Sequence, residues 1–229
     1  MAHDQSTRIR IDMHLHTHRS FDCLNEPHAL LAVAAARGID MICVTDHNQI
    51  RTALELKQRY PDRVIVGEEV KTAEGVDVIG LFIHTLIPGG TPARTTCDLV
   101  HEQGGLVYVP HPFARGKGGG GRILEVIAEQ VDAVEGFNAR LHDPALNGRA
   151  VAWAVERSLP LGAGSDAHTL AEVGRAYVEV PPFTDDAASF RAALAAGTIT
   201  GTSSSPMVHL ASTYAKVHKR FFTQRGAET

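Results

Sequence analysis

Short apolar runs in this chain end, one after another, on histidine or carboxylate residues. Residues 8–12 alternate polar and apolar and lead into Met13-His14-Leu15-His16. In a strand, the period of two puts His14 and His16 on one face. Ile39 to Thr45 (IDMICVT) is continuously apolar, as a parallel strand covered on both faces should be, and stops at Asp46-His47-Asn48. Arg63 to Val66 stops at Gly67-Glu68-Glu69, and Val76 to His84 (VDVIGLFIH) ends on a histidine. Leu106 to Val109 stops at Pro110-His111-Pro112, and Ala133 to Phe137 at Asn138-Ala139-Arg140. Leu159 to Ala163 stops at Gly164-Ser165-Asp166-Ala167-His168.

Helix-type segments fall between these runs: Pro27 to Arg37 with Gly38 as its stop, Arg51 to Tyr60, Thr91 to Gln103, Ile123 to Gln130, Pro144 to Arg157 and Asp185 to Ala196. Ala176 to Val180 reads as the last strand. Seven or so strands alternating with helices fit a closed parallel barrel or an open doubly wound sheet. An open sheet would spread seven strand ends over roughly 30 Å, at about 4.8 Å per strand. A barrel gathers them at its C-terminal rim, where catalytic residues from many strands converge. The strand-end residues therefore point to an α/β barrel.

Length and charge limit the alternatives. The 229 residues suit one domain, with a core over about 8–197 and a less regular extension over 198–229, in which Lys216 to Arg225 reads as a solvated basic end. A net charge of −4 argues against long nucleic acid or an anionic membrane as partner. Cys23, Cys43 and Cys97 are odd in number and widely spaced, which speaks against a disulfide framework and a thiolate zinc site. No apolar leader and no 18-residue apolar run occurs, so a cytoplasmic protein is expected. Oligomeric state is not legible.

Taken in order, His14-Leu15-His16-Thr17, Thr45-Asp46-His47-Asn48, Gly67-Glu68-Glu69, His84, His111-Pro112 and Gly164-Ser165-Asp166-Ala167-His168 resemble the PHP (polymerase and histidinol phosphatase) domain family. The resemblance runs from about residue 8 to residue 180. It implies a distorted (β/α)7 TIM-like barrel with a metal site at the C-terminal rim, and hydrolysis of phosphate esters with two or three divalent ions. Carried over residue by residue, it implies that His14, His16, Glu69 and Asp166 hold a first ion. Glu69, His84 and His111 would hold a second, with Glu69 bridging, and Asp22, His47 and His168 a third. Imidazoles and carboxylates without thiolate suit Zn²⁺, Mn²⁺ or Fe²⁺.

Neighbouring residues invite plainer readings. Asp12 reads as a strand-end support, Asp46 as a carboxylate that orients a ligand, and Glu68 as facing away from Glu69. His3, His28, His101, His142, His209 and His218 lie outside any strand-end motif and read as surface residues. Arg115, Lys117 and Arg140 fall near the expected rim, and Arg115 and Arg140 are candidates to grip a phosphate dianion. The glycine run Gly118 to Gly121 reads as a lid.

The expected activity is that of a metal-dependent phosphomonoesterase acting on a small phosphorylated metabolite or nucleotide. The attack would come from a hydroxide bridging the metals, with Asp166 or His168 protonating the leaving alkoxide. The rivals are a phosphodiesterase or exonuclease on short oligonucleotides, a non-catalytic metal-binding module, and an amidohydrolase. The last usually carries a lysine at a strand end, and here Lys57 falls in a helix and Lys71 after the glutamates.

Overall fold

The computed structural model describes residues 8–114 and 121–222. Among these, nine strands form one sheet: β1 (Ile9–Leu15), β2 (Met41–Val44), β3 (Val64–Lys71), β4 (Asp77–Leu81), β5 (Leu106–Val109), β6 (Ala133–Asn138), β7 (Leu161–Gly164), β8 (Ala176–Val180) and β9 (Thr198–Gly201). Their spatial order is β7-β6-β5-β4-β3-β2-β1-β8-β9. The first seven curl into a nearly closed barrel. At the seam, Asp166 N–H donates to the His14 carbonyl at 2.7 Å and His16 N–H to the Ala167 carbonyl at 3.0 Å. The hairpin of β8 and β9 lies outside this closure, with β8 antiparallel to the first half of β1.

Helices α1 (Pro27–Ala36), α2 (Arg51–Arg59), α3 (Ala93–Glu102), α4 (Gly121–Ile127) and α5 (Pro144–Glu156) cross over between strands. One apolar layer lies between them and the strands, built on Leu30, Ala34, Val44, Leu56, Cys97 and Trp153. A second fills the barrel with Ile11, Met13, Cys43, Ile65, Ile79 and Tyr108, and is capped by Phe190 and Leu194 of α6 (Ala187–Ala195). Met13 belongs to the inner layer and Leu15 to the outer one, so the alternation slips between them, where β1 has an irregular register. Such irregularities re-aim side chains beside functional sites, and here His14 and His16 turn to the barrel mouth.

Two features differ from the expectation. First, β4 runs antiparallel to both neighbours, with Lys71 opposite Asp77 and Gly67 opposite Leu81. Only residues 72–76 separate β3 from β4, turned by Gly75 at φ 80°. A parallel neighbour needs a crossover of about a dozen residues, so a link this short can only make a hairpin. Second, the tail is regular as far as it is described, residues 223–229 lying outside the described residues: β9 extends the sheet, and α7 (Val208–Phe222) is a four-turn helix laid across the barrel mouth. Lys219, read as solvated, donates its ammonium to the carbonyls of His18 and Ser20. No helix among the described residues is long and apolar enough to cross a membrane.

Candidate metal centre

The C-terminal ends of the parallel strands bring seven ligand-type side chains together, with Asp22 supplied by the loop after β1. His14 Nε2 lies 3.2 Å from His16 Nε2 and 3.3 Å from Glu69 Oε2. His16 Nε2 lies 3.4 Å from Asp166 Oδ1, and His111 Nε2 3.2 Å from Glu69 Oε1. His47 Nδ1 lies 3.0 Å from Glu69 Oε2. Asp22 Oδ1 lies 3.2 Å from His168 Nε2 and 3.7 Å from His47 Nε2. Three groups of candidate ligand atoms fall within 4.8 Å of one another: His14, His16 and Asp166; His14, Glu69 and His111; and His16, His47 and His168.

Around these groups, a hydrogen-bonded frame sets which ring nitrogen faces the centre. Glu135 Oε1 lies 3.1 Å from His14 Nδ1, so that nitrogen carries the proton and Nε2 presents its lone pair inward. The Ser20 hydroxyl donates to Asp46 at 2.7 Å and accepts from His16 Nδ1 at 3.0 Å, with the same effect on His16. Asp46 also accepts from the Thr17 N–H at 2.7 Å, and so pins the loop that carries Ser20. Asp12 plays the supporting part expected of it, accepting from the backbone N–H of Ser165 and of Gly174 at 2.9 Å each. Gly164 allows Glu135 and His14 to meet, since a Cβ there would lie 2.3 Å from His14 Cβ and 2.6 Å from Glu135 Oε1.

Two of the converging residues sit in the left-handed backbone region, His111 at φ 28° and Asp166 at φ 51°. Non-glycine residues there cost about 1–3 kcal/mol each and persist where the surroundings hold them. Glu135 Oε2 accepts the His111 N–H at 2.7 Å, and the His14 carbonyl accepts that of Asp166. Glu135 therefore holds the His14 ring and the His111 backbone. Replacing it with glutamine should lower metal affinity or turnover by about 10–100-fold, as loss of a ligand-orienting carboxylate commonly does. Competition titration with a chromogenic chelator reads this directly, and unchanged affinity and turnover would remove Glu135 from the role.

The donor set fits divalent cations. Burial opposes the charge on His14, but Glu69, Glu135 and Asp166 together hold its pKa well above the usual imidazole range. His47 is raised to about 9 against the same burial, mainly by Glu69. His16 goes the other way, down to about 4, through burial and the neighbouring His168 and His47. Burial also opposes charge on Glu69 and Asp166, yet the facing imidazoles hold both below the carboxylate range. Asp22 is likewise lowered, burial being outweighed by its hydrogen bond to His168. These buried carboxylates stay anionic by facing cationic imidazoles, a role that divalent ions fill better.

His84 does not join the centre. It is exposed, its backbone N–H donates to Gln103 Oε1 at 3.0 Å, and it lines a separate cavity with Lys57 and Asp185. The cause is the reversal of β4, which carries the end of VDVIGLFIH to the opposite rim. The same reversal delivers the start of β4, so that Asp77 lines the metal cavity beside Glu69 and His111. Asp77 Oδ1 is buried without a hydrogen-bond partner, and its pKa rises to about 6 through burial and then Glu69. Arg140 does reach the cavity, whereas Arg115, Lys117 and Gly118 to Gly120 lie outside the described residues.

The cavity over the centre measures about 360 Å³. Its far wall is α7, which contributes Ser212, Thr213 and Lys216, and its lip is Phe21. Lys71, which the sequence placed after the glutamates, is the last residue of β3 and lines the same mouth.

Residues 12–117 match the family described as PHP domain, and residues 144–199 the family described as PHP-associated. An uncharacterized protein of Methanocaldococcus jannaschii is 36% identical over 157 residues, covering 62% of this chain and 90% of that protein. Among solved structures, PsfC from Pseudomonas syringae superposes with a TM-score of 0.66 at 20% identity, over 92% of this chain and 99% of its own. A two-domain protein of Bacteroides vulgatus containing a predicted PHP-like metal-dependent phosphoesterase superposes with a TM-score of 0.66 at 17% identity, over 86% and 65% of the two chains. At these identities the two structures speak for the barrel alone. With two successive segments matching the family and its residues gathered at one barrel mouth, the chain belongs to the PHP domain family.

Proposed function

We propose that the protein is a metal-dependent phosphomonoesterase acting on a small phosphorylated metabolite or nucleotide. The observation that carries this reading is one walled cavity that holds three ligand groups at its floor and lysines at its mouth. His14 and His16 with Glu69 and Asp166 would hold one divalent ion, Glu69 and His111 a second, and His47 and His168 with Asp22 a third. Asp77 takes the place beside Glu69 that the sequence reading gave to His84. Ions of the zinc, manganese or iron type suit these donors, and they supply acidified water and charge neutralisation at phosphorus.

The chain's own residues orient the substrate. Lys216 and Lys71 both line the cavity and would face a phosphate dianion bound there. Arg140 is held on three sides: Nε lies 3.1 Å from Glu172 Oε1, Nη1 lies 2.6 Å from His168 Nδ1, and Nη2 donates to Ser212 Oγ at 2.7 Å. It positions His168 and α7 rather than gripping phosphate. His168 Nε2 and an oxygen of Asp166 belong to the ligand groups, which leaves protonation of the departing alkoxide to solvent. The α7 wall over the cavity supports a terminal phosphate rather than a continuous strand as the substrate.

Phe21 is 54% exposed at the lip, with the Lys216 ammonium 5.1 Å from its ring centroid. A flat organic group stacks there, and base-on-aromatic stacking is worth about 1–3 kcal/mol. Phe21→Ala should raise KM for aryl and nucleoside monophosphates by about tenfold and move that for aliphatic phosphates by less than about twofold. Equal changes in both series would remove the stacking role.

The reading is tested by phosphate release from a panel of monoesters beside a chromogenic diester, with Mn²⁺ or Zn²⁺ added and then with chelator. Chelator-sensitive monoester cleavage is expected. Cleavage of the diester alone would replace it with a phosphodiesterase, and silence on both with metal bound would favour a binding module.

A further inference from the structure

Helix α7 turns its weaker face inward. The side chains directed at the barrel are those of Val208, Ser212, Ala215 and Lys219, of which Ser212 and Ala215 are buried. On the opposite side, Leu210, Tyr214, Val217 and Phe221 are 66%, 63%, 50% and 63% exposed, and Met207, just before the helix, is 72% exposed. Steps of three, four, three and four residues align all five in one stripe along the axis. One such residue on a surface is ordinary, but a contiguous apolar line over four turns marks an interaction site.

We propose that this stripe is covered by a second copy of the chain, through antiparallel pairing of the two α7 helices about a two-fold axis at Tyr214. The stripe is close to a palindrome. Met207 and Phe221 lie seven residues either side of Tyr214, and Leu210 and Val217 lie four and three either side. A two-fold contact requires such self-complementarity, because residue i meets j and j meets i. Here Met207 meets the second copy's Phe221, Leu210 meets its Val217, and the two Tyr214 rings meet at the axis.

Charge selects the direction. Residues 208–222 contain Lys216, Lys219 and Arg220 and no acidic residue. Lys216 is directed to Asp22 at 3.6 Å and Lys219 to the loop carbonyls, while Arg220 is exposed beside the stripe. A parallel pair would set the two Arg220 side chains together. An antiparallel pair moves each to the N-terminal end of the other α7, where exposed Asp143 lines a shallow cavity with His142 and His209. The helix dipoles then also oppose. Five side chains at these exposures offer roughly 500 Å² per copy, near the lower limit for a specific interface, so a dimer of about micromolar affinity is expected. Because Ser212 and Lys216 on the same helix wall the metal cavity, pairing would also steady that wall.

Sedimentation velocity on the full chain should show twice the chain mass at about 100 µM and dissociation on dilution towards 1 µM. The double variant L210E/V217E should remain at the single-chain mass throughout, with an unchanged far-UV spectrum. Orientation is read by cross-linking, since the native cysteines are all buried. Tyr214→Cys should form a disulfide-linked dimer. Met207→Cys should not do so alone but should when mixed with Phe221→Cys. A single-chain mass for the wild type at 100 µM, a dimer that survives L210E/V217E, or efficient cross-linking of Met207→Cys alone would each overturn the proposal.

Discussion

Replacing Glu69 with glutamine is expected to abolish turnover and to lower the metal content by at least one ion per chain. This carboxylate borders all three ligand groups. Oε2 lies 3.3 Å from His14 Nε2, 3.4 Å from His16 Nε2 and 3.0 Å from His47 Nδ1, while Oε1 lies 3.2 Å from His111 Nε2. Glutamine keeps the volume, removes the charge and turns one acceptor oxygen into a donor that faces imidazole lone pairs. The expected fall in kcat is at least about 10³-fold, on the order of 4 kcal/mol of barrier. The neighbouring carboxylate is the control. Glu68 is as buried as Glu69, but it accepts from the Ile87 N–H at 2.9 Å on the other face of β3. Its pKa rises to about 7 through burial. Glu68→Gln should leave kcat within about threefold and act on stability instead, as a buried polar change away from the chemistry does. Metal analysis and steady-state kinetics on the pair decide the matter. Glu69→Gln at more than a tenth of wild-type activity would remove Glu69 from the centre.

Much of this centre was legible because parallel strands present their C-terminal ends to one place, so a residue type at a strand end carries spatial meaning. His14, His16, His47, Glu69, His111, Asp166 and His168 were found that way, and they converge. His84 failed under the same rule because the rule presumes strand direction. The link Thr72-Ala73-Glu74-Gly75-Val76 is too short for a crossover, and that signal outranks the histidine. The hairpin it forms puts Asp77, at the start of β4, at the metal-bearing rim. Glu135 sits inside AVEGFN rather than at its end, so a strand-end search passes over it. The available signal was a charged residue in the middle of an otherwise apolar strand, which burial tolerates only with partners such as His14 and His111. Helix α7 was missed for a different reason. Its apolar spacing is regular, but the chain buries the opposite face, and only tertiary contacts by Arg140, Lys216 and Lys219 reveal where it lies.

Removing the metals should cost the protein more at pH 9 than at pH 6.5. Ions present at about 1,000 times their dissociation constant add roughly 4 kcal/mol to a fold that binds them only when native. For a chain of 150–250 residues each kcal/mol moves the melting temperature by about 2–4 °C, so chelation should lower it by about 8–16 °C. In the ion-free protein, protonated His47 partly replaces the missing charge. Its folded-state pKa lies at about 9, against an ordinary value of 6.5. The stabilisation from that raised pKa is fully present below pH 6.5 and is lost as the pH climbs towards 9. Metal binding needs the neutral ring, so it releases the proton and strengthens over the same interval. Both effects widen the gap between loaded and chelated protein as the pH rises. Calorimetric scans of the two forms at pH 6.5, 7.5 and 9 measure it. Hydrogen exchange should place the lost protection in residues 16–22, 46–48 and 166–168 at the barrel mouth, with β2 and β5 unaffected. A gap that narrows with rising pH would mean that His47 does not carry a proton in the ion-free protein and would overturn this account of the pH dependence.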